Sequence, residues 1–168
     1  MKGAHKSESF LKMNPAGQVP VLVDNGTVVN DSNAILVYLA THYANGTNFY
    51  PSDAVSIANV QRYFSAAAGP IASGPAAARL VTVFGASLDA EQAIDTAHAV
   101  LTKFEADLEG NNWLVGNAAT LADIATYAYI AHAPEGNVDL AKYPNVRAWL
   151  TRIEALDNFV PMVSSPVG

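Results

Sequence analysis

There is no cysteine among the 168 residues. That excludes a disulfide scaffold, a thiolate zinc site and a cysteine nucleophile, and it fits a reducing compartment. Basic residues are scarce: nine Lys and Arg face fifteen acids, for a net charge of −6. Without a basic stripe, nucleic acid is not an expected partner. Nothing approaches the ~20 unbroken apolar residues of a membrane span. The start, Met1-Lys2-Gly3-Ala4-His5-Lys6-Ser7-Glu8, lacks the apolar run of a signal peptide. Neither a phosphate-binding glycine loop nor a nucleophile elbow occurs. His5, His42, His98 and His132 are scattered without metal-ligand spacing. The expectations are a cytoplasmic protein, no metal and no prosthetic cofactor.

What is present is enough for a core, since hydrophobic residues make up 51%. Residues 7–13 read as a short helix or turn. Two valine-rich runs, 19–24 and 27–30, flank Asn25-Gly26, a pair suited to positive φ at both turn positions, so a β-hairpin is expected. A helix over 32–43 follows, with Ile35, Leu36, Leu39 and Tyr43 as its apolar stripe and Asn45-Gly46 as its stop. Asn25-Gly26-Thr27 and Asn45-Gly46-Thr47 match the glycosylation acceptor pattern but read as turn chemistry. Residues 45–53 are turn formers and read as a linker.

Beyond the linker the strand signals stop. Residues 54–84 are helical, with Gly69-Pro70 and Gly74-Pro75 expected to kink or split the helix. Asp89 with Gln92 suggests a capping box. The helix behind it should bury Ile94, Ala97, Leu101, Phe104 and Leu108, and stop at Gly110. Thr120 with Asp123 caps a helix reaching about residue 133. Pro144 opens a last helix carrying Val146, Trp149, Leu150 and Ile153. The fold class is therefore α+β and mostly helical: a helix, a β-hairpin and a helix over 1–44, a linker over 45–53, and an all-helical domain over 54–168. A two-stranded hairpin is marginal alone in water, and the run 19–23 wants a neighbour along its other edge.

Two stretches point to chemistry. Gln18-Val19-Pro20 enters a strand through proline. On residues alone an ordinary trans bond is favoured, since cis X-Pro bonds are ~5% of cases. A cis Val19–Pro20 bond would turn the Val19 N–H and C=O outward, free to pair with an extended peptide. Asp31-Ser32 opens a helix whose free amides and partial positive charge suit a carboxylate. Ser32 adds a hydroxyl, and Asp31 can take an ammonium. The ordinary alternative is plain N-capping. Upstream, His5 and Lys6 could hold a second carboxylate or be solvated charges. Gln18 could bond a ligand or its own loop. Tyr63, Phe64, Tyr127 and Tyr129 could line an apolar pocket, although helical aromatics are more often core.

In this order and spacing the segments resemble the glutathione S-transferases. His5-Lys6, then Asn14-Pro15-Ala16-Gly17-Gln18-Val19-Pro20-Val21-Leu22, then Asp31-Ser32-Asn33-Ala34-Ile35 look like the second half of that family's thioredoxin-like domain. Thr120-Leu121-Ala122-Asp123-Ile124-Ala125 resembles the capping-box helix of its all-helical domain, and Tyr143-Pro144-Asn145-Val146 with Trp149 its closing helix. The bacterial and plant phi members are nearest in style.

The resemblance implies roles. Val19, beside a cis Pro20, would pair through its backbone with the cysteinyl unit of glutathione. Asp31 and Ser32 would hold the γ-glutamyl end, Gln18 would assist near the peptide backbone, and His5 and Lys6 would face the glycyl carboxylate. It implies glutathione as cosubstrate, small electrophilic apolar molecules as its partners in conjugation, and a homodimer. Family members carry a β-α-β unit ahead of this segment, with a thiol-activating Ser, Tyr or Cys. The expectation is thus a truncated thioredoxin-like half-domain followed by the family's all-α C-terminal domain, with no catalytic residue assignable and weak or no activity. The alternative is a non-catalytic glutathione-binding or assembly protein on the same scaffold.

Overall fold

Helix starts are marked by short polar side chains that take the first free amides. In the computed structural model, which describes residues 3–43 and 49–166, Ser7 accepts from the Phe10 amide, Asp53 from Ser56 and Asp89 from Gln92. Each removes one orphan donor from a helix N-terminus. The chain divides into two compact units, Met1–Tyr50 and Pro51–Gly168.

The first unit holds a 3₁₀ turn at Ala4–Lys6, then α1 (Glu8–Met13), β1 (Val21–Asp24), β2 (Thr27–Asn30) and α2 (Ser32–His42). The strands pair antiparallel, from Val21 opposite Asn30 to Asp24 opposite Thr27. Asn25 and Gly26 close the hairpin with φ of 46° and 84°, the positive values a two-residue turn needs. The first strand begins two residues later than the valine run suggests, because Val19-Pro20 lies outside the ladder. No residue of α2 is buried. Residues 44–48, with the expected Asn45-Gly46 stop and the second acceptor pattern, lie outside the described residues.

In the second unit α3 (Ala54–Ala66), a π-helical stretch (Ala67–Ala76) and α4 (Ala77–Phe84) follow one another without interruption. The sequence suggests a kink or a split at the two Gly-Pro pairs; the helix instead widens there. Pro70 and Pro75 lack an amide, and their rings would strike the carbonyls four residues back. A turn that bonds five residues back moves those carbonyls aside. The widened turn also meets α5 (Ala90–Asp107): a Cβ on Gly74 would lie 2.8 Å from the Ala97 amide nitrogen.

The rest of the unit is α6 (Leu121–Ala131), a 3₁₀ turn (Ala133–Gly136) and α7 (Pro144–Glu154). Tyr63 meets Phe104 edge-on and Phe104 meets Trp149 at a tilt through the core, with centroids 5.6 and 6.0 Å apart. Val146, Trp149, Leu150 and Ile153 of α7 are all buried. In α5 Ala97, Leu101 and Phe104 are buried as expected and Leu108 just beyond it, but Ile94 is only half-buried; Ala93 and Val100 fill the face instead. Asp89 caps α5, yet among the described residues Gln92 returns no bond, so the box is half made. Tyr63 and Phe64 are core, whereas Tyr129 is exposed. Among the described residues no helix is long and apolar enough to cross a membrane.

Candidate functional site

The hairpin register decides what can meet. Because Val21 pairs with Asn30, the residues entering β1, Val19 and Pro20, and those leaving β2, Asp31 and Ser32, lie at the same open end of the hairpin. Opposed positions in such a pair are ~5 Å apart. Two motifs eleven residues distant in sequence are thereby brought side by side.

The approach to β1 is built by Asn14, which is buried. Its Nδ2 donates to the Gln18 carbonyl at 2.8 Å, and its Oδ1 accepts from the Ala16 amide at 3.2 Å. The Gly17 amide returns to the Asn14 carbonyl at 2.9 Å. The loop 14–18 is thus hydrogen-bonded internally, and Val19 leaves it in a fixed direction. The Val19–Pro20 bond is cis. Val19 is 70% exposed, and no group among the described residues hydrogen-bonds its backbone.

Lys6 reaches this loop from the 3₁₀ turn: its Nζ donates to the Gly17 carbonyl at 3.0 Å. The contact is close. A Cβ on Gly17, whose φ is +60°, would lie 2.7 Å from that nitrogen and 3.1 Å from the His5 carbonyl. Lys6 is therefore a tether as well as a charge, and two of its three ammonium hydrogens remain for other acceptors. His5 is half-buried in the same turn. The Gln18 side chain is exposed and makes no bond among the described residues.

Across the hairpin end, Asp31 caps α2. One oxygen, Oδ1, accepts from the Asn33 and Ala34 amides at 2.9 and 3.0 Å. The other, Oδ2, accepts nothing among the described residues. Asp31 sits at φ 77°, ψ 131°, a region that favours glycine and costs ~1–3 kcal/mol in other residues. A cap alone does not require that cost, since Ser7, Asp53 and Asp89 cap from ordinary extended backbone. Ser32, exposed at the first helical position, has neither amide nor hydroxyl bonded among the described residues.

The far end of the hairpin is tied to the end of α2. The Tyr38 hydroxyl donates to Asp24 Oδ2 at 2.8 Å, and the Tyr43 hydroxyl donates to the same oxygen. The bond to the Asp24 carboxylate pushes the Tyr43 phenol up to about 12. His42 stacks on Tyr38 with ring centroids 5.3 Å apart. Sequence reasoning placed no role on Asn14, Asp24 or Tyr38, and put Tyr43 on an apolar stripe, whereas it is exposed and bonds Asp24. The one legible signal was Asn14 before Pro15, since Asn in that position favours a self-bonded turn.

All seven sequence-predicted residues thus lie in one unit, and contacts or register link Lys6, the loop 14–18, Val19-Pro20 and Asp31-Ser32. Chemically the arrangement offers an unpaired backbone at Val19, an unused carboxylate oxygen, a helix N-terminus and a lysine. Among the described residues no group of three or more acidic or histidine side chains could hold a metal ion.

Known proteins share this arrangement of segments. The family described as "Glutathione S-transferase, C-terminal domain" matches residues 70–157, and "Glutathione S-transferase, N-terminal domain" matches residues 1–42. Glutathione S-transferase D7 of Anopheles gambiae is 34% identical over 153 residues, spanning 90% of this chain and 70% of the relative. The crystal structure of a glutathione S-transferase from Pseudomonas fluorescens superimposes with a TM-score of 0.88 at 31% identity, covering 96% of this chain and 82% of the other. A glutathione transferase homologue from Drosophila mojavensis, solved with bound glutathione, gives 0.77 at 31% identity over 92% and 72%.

Proposed function

This chain belongs to the glutathione S-transferase family, and on that premise we propose that the open end of its hairpin is the glutathione site. The observation that carries the reading is the register pairing Val21 with Asn30, which sets the unpaired Val19 backbone beside Asp31 and Ser32. The cysteinyl unit pairs with the Val19 N–H and C=O as an added strand would. The γ-glutamyl ammonium meets Asp31 Oδ2, and its carboxylate meets the Ser32 amide and hydroxyl at the helix N-terminus. Gln18 reaches the ligand's peptide backbone. Lys6, with His5, faces the glycyl carboxylate. The unusual backbone of Asp31 supports this, because cost without a folding need is characteristic of binding sites.

The family's chemistry joins the glutathione thiol to small electrophilic apolar molecules. None of the seven proposed residues is placed to lower the thiol pKa. For residues 1–168 by themselves, the thiol therefore titrates near ~8.5, leaving a few per cent thiolate at neutral pH. These residues alone bind glutathione and conjugate it weakly or not at all. The domain division at 1–44, 45–53 and 54–168 and a cytoplasmic location complete the reading. The uncovered apolar residues Val23, Val28 and Leu39 favour a homodimer.

Calorimetric titration with glutathione tests the site. The expected result is saturable binding that falls ~10-fold or more in Asp31→Asn, since a charge-assisted bond is lost, at an unchanged melting temperature, because Asn also caps. Equal affinity in the variant would remove Asp31 from the site. Turnover of a chlorinated aromatic well above the uncatalysed rate would refute the weak-activity reading.

A further inference from the structure

We infer that a cavity in the helical unit, bounded by α6, α7 and residues 161–165, binds small neutral aromatic alcohols of the phenol class through Nε2 of His132. The cavity measures about 410 Å³, and its walls include Ala131, Pro134, Pro161 and Met162. A cavity of ~150 Å³ already holds benzene, so there is room here for one substituted ring.

His132 is what makes the cavity specific. It caps the C-terminus of α6 and is only 8% exposed. Its Nδ1 lies 2.6 Å from Glu135 Oε1. Glu135 is held as a carboxylate: burial works to raise its pKa, but the bonds from His132, Arg79 and the Ser165 amide outweigh it and bring it to about 2. Arg79 Nε donates to Oε2 at 2.7 Å and the Ser165 amide to Oε1 at 3.1 Å. A carboxylate at that distance fixes the proton on Nδ1 of the imidazole. In the neutral imidazole, Nε2 is then the nitrogen that carries the free lone pair.

Nε2 has no partner among the described residues. Yet no fully buried side-chain nitrogen or oxygen lacks a partner there. The nitrogen is therefore open to the cavity that His132 lines. A pinned, nine-tenths buried imidazole with an open acceptor selects a ligand that donates a hydrogen bond.

The other charges narrow the class. The Tyr127 hydroxyl is engaged, donating to Glu154 Oε1 at 2.8 Å. The carboxylates of Glu154 and Glu135 both line the cavity, so an anion is disfavoured. Ala131, Pro134, Pro161 and Met162 offer an apolar surface for a ring among the polar lining residues. A phenol meets these conditions: a flat apolar body, a strong neutral O–H donor, and a pKa near ~10 that keeps it protonated at neutral pH. The lining residues belong to the Pro51–Gly168 unit, and the inference does not rest on the glutathione reading.

The test uses the whole 168-residue chain titrated with 4-ethylphenol, followed by calorimetry and by the ring ¹⁵N resonances of its four histidines. One-to-one saturation that moves the His132 Nε2 resonance supports the proposal, as does ~10-fold weaker binding of 4-ethylanisole, which lacks the donor. His132→Phe should abolish binding. Because that change also removes a partner of Glu135, Met162→Trp provides a second probe that fills the cavity and leaves the imidazole in place; it too should abolish binding, with an unchanged circular dichroism spectrum. Failure to saturate, equal binding of the anisole, retained affinity in Met162→Trp, a shift at another histidine instead, or displacement of the phenol by glutathione would each overturn it.

Discussion

The indole Nε1 of Trp149 donates to Oδ1 of Asp123 at 2.8 Å, joining α7 to the first turn of α6. The same carboxylate collects three more donors: the Leu114 amide at 3.0 Å, the Thr120 amide at 2.8 Å and the Thr120 hydroxyl at 3.1 Å. Asp123 is wholly buried, so none of these donors can turn to water if it is lost. Asp123→Ala should cost ~3–5 kcal/mol, the scale of breaking a buried charged network. Thr120→Ala, which removes a cap, should cost ~1 kcal/mol. Urea unfolding of both variants decides; equal costs would show that the carboxylate acts as a cap alone.

Glu135 gives stability a pH dependence in the acid range. Its folded pKa is depressed from 4.5 to about 2, with burial opposing and the His132, Arg79 and Ser165 bonds prevailing. A depressed acid contributes stability that is complete above its unfolded pKa and is lost as pH falls through the folded value. The unfolding free energy of the wild type minus that of Glu135→Gln should be constant above about pH 4.5 and shrink toward pH 2. A difference that stays flat across that interval would mean the carboxylate is unpaired in solution.

Gly136 lies where two helical segments touch. A Cβ there would come within 2.6 Å of the Arg79 amide nitrogen and 2.7 Å of the Ala78 carbonyl carbon. Both are backbone atoms and cannot step aside. Gly136→Ala should cost ~1–3 kcal/mol as overpacking, and the shift should also disturb the Arg79–Glu135 pair. Gly85→Ala is the control, since its Cβ would meet nothing within 4 Å and only its φ of +66° is unfavourable. Thermal melts showing Gly136→Ala no worse than Gly85→Ala would contradict the close approach.

Much of this was legible because local chemistry and tertiary structure agree. Asn25-Gly26 makes the hairpin, Thr120 with Asp123 makes a reciprocal box, and α7 buries the four residues its spacing marks. The exceptions have physical causes. Gly69-Pro70 and Gly74-Pro75 read as breaks, but the chain, packed against α5 at Gly74, takes a π-helical stretch instead. At the site, Val19, Asp31 and Ser32 were visible as types, while their adjacency follows from strand register, which spacing alone does not state. Lys6 bonding Gly17 and Asn14 bonding Gln18 are loop contacts with no periodic signature. The pairing of Arg79 with Glu135 was hidden because the two lie 56 residues apart in the chain.

The Asp24–Tyr43 contact can be read by spectroscopy. The Asp24 carboxylate stabilises the protonated phenol, which puts Tyr43 at about 12 against an ordinary 10.0. In Asp24→Asn the negative charge is gone while a hydrogen-bond acceptor remains. The ultraviolet titration of the tyrosines should then show two phenols moving down, Tyr38 and Tyr43, the latter from about 12 toward 10.0. If the hairpin is held to α2 by this carboxylate, hydrogen exchange at β1 and β2 should quicken in the same variant. Unchanged titration and unchanged exchange would together dismiss the contact.

Lys6 is the residue whose two roles separate most cleanly. One ammonium hydrogen is spent on the Gly17 carbonyl at 3.0 Å, and the proposed site assigns another to the glycyl carboxylate. Both roles predict weaker glutathione binding in Lys6→Met, by ~10-fold where a charged hydrogen bond is lost. Salt distinguishes them. A charge meeting a carboxylate at the surface is screened, so wild-type affinity should fall as ionic strength rises, and Lys6→Met should bind with a flatter salt dependence. A tether to a neutral carbonyl has no such dependence. Weaker binding with an unaltered salt slope would therefore leave Lys6 as a positioning residue that holds the Gly17 turn, and would move the task of meeting the glycyl carboxylate to His5.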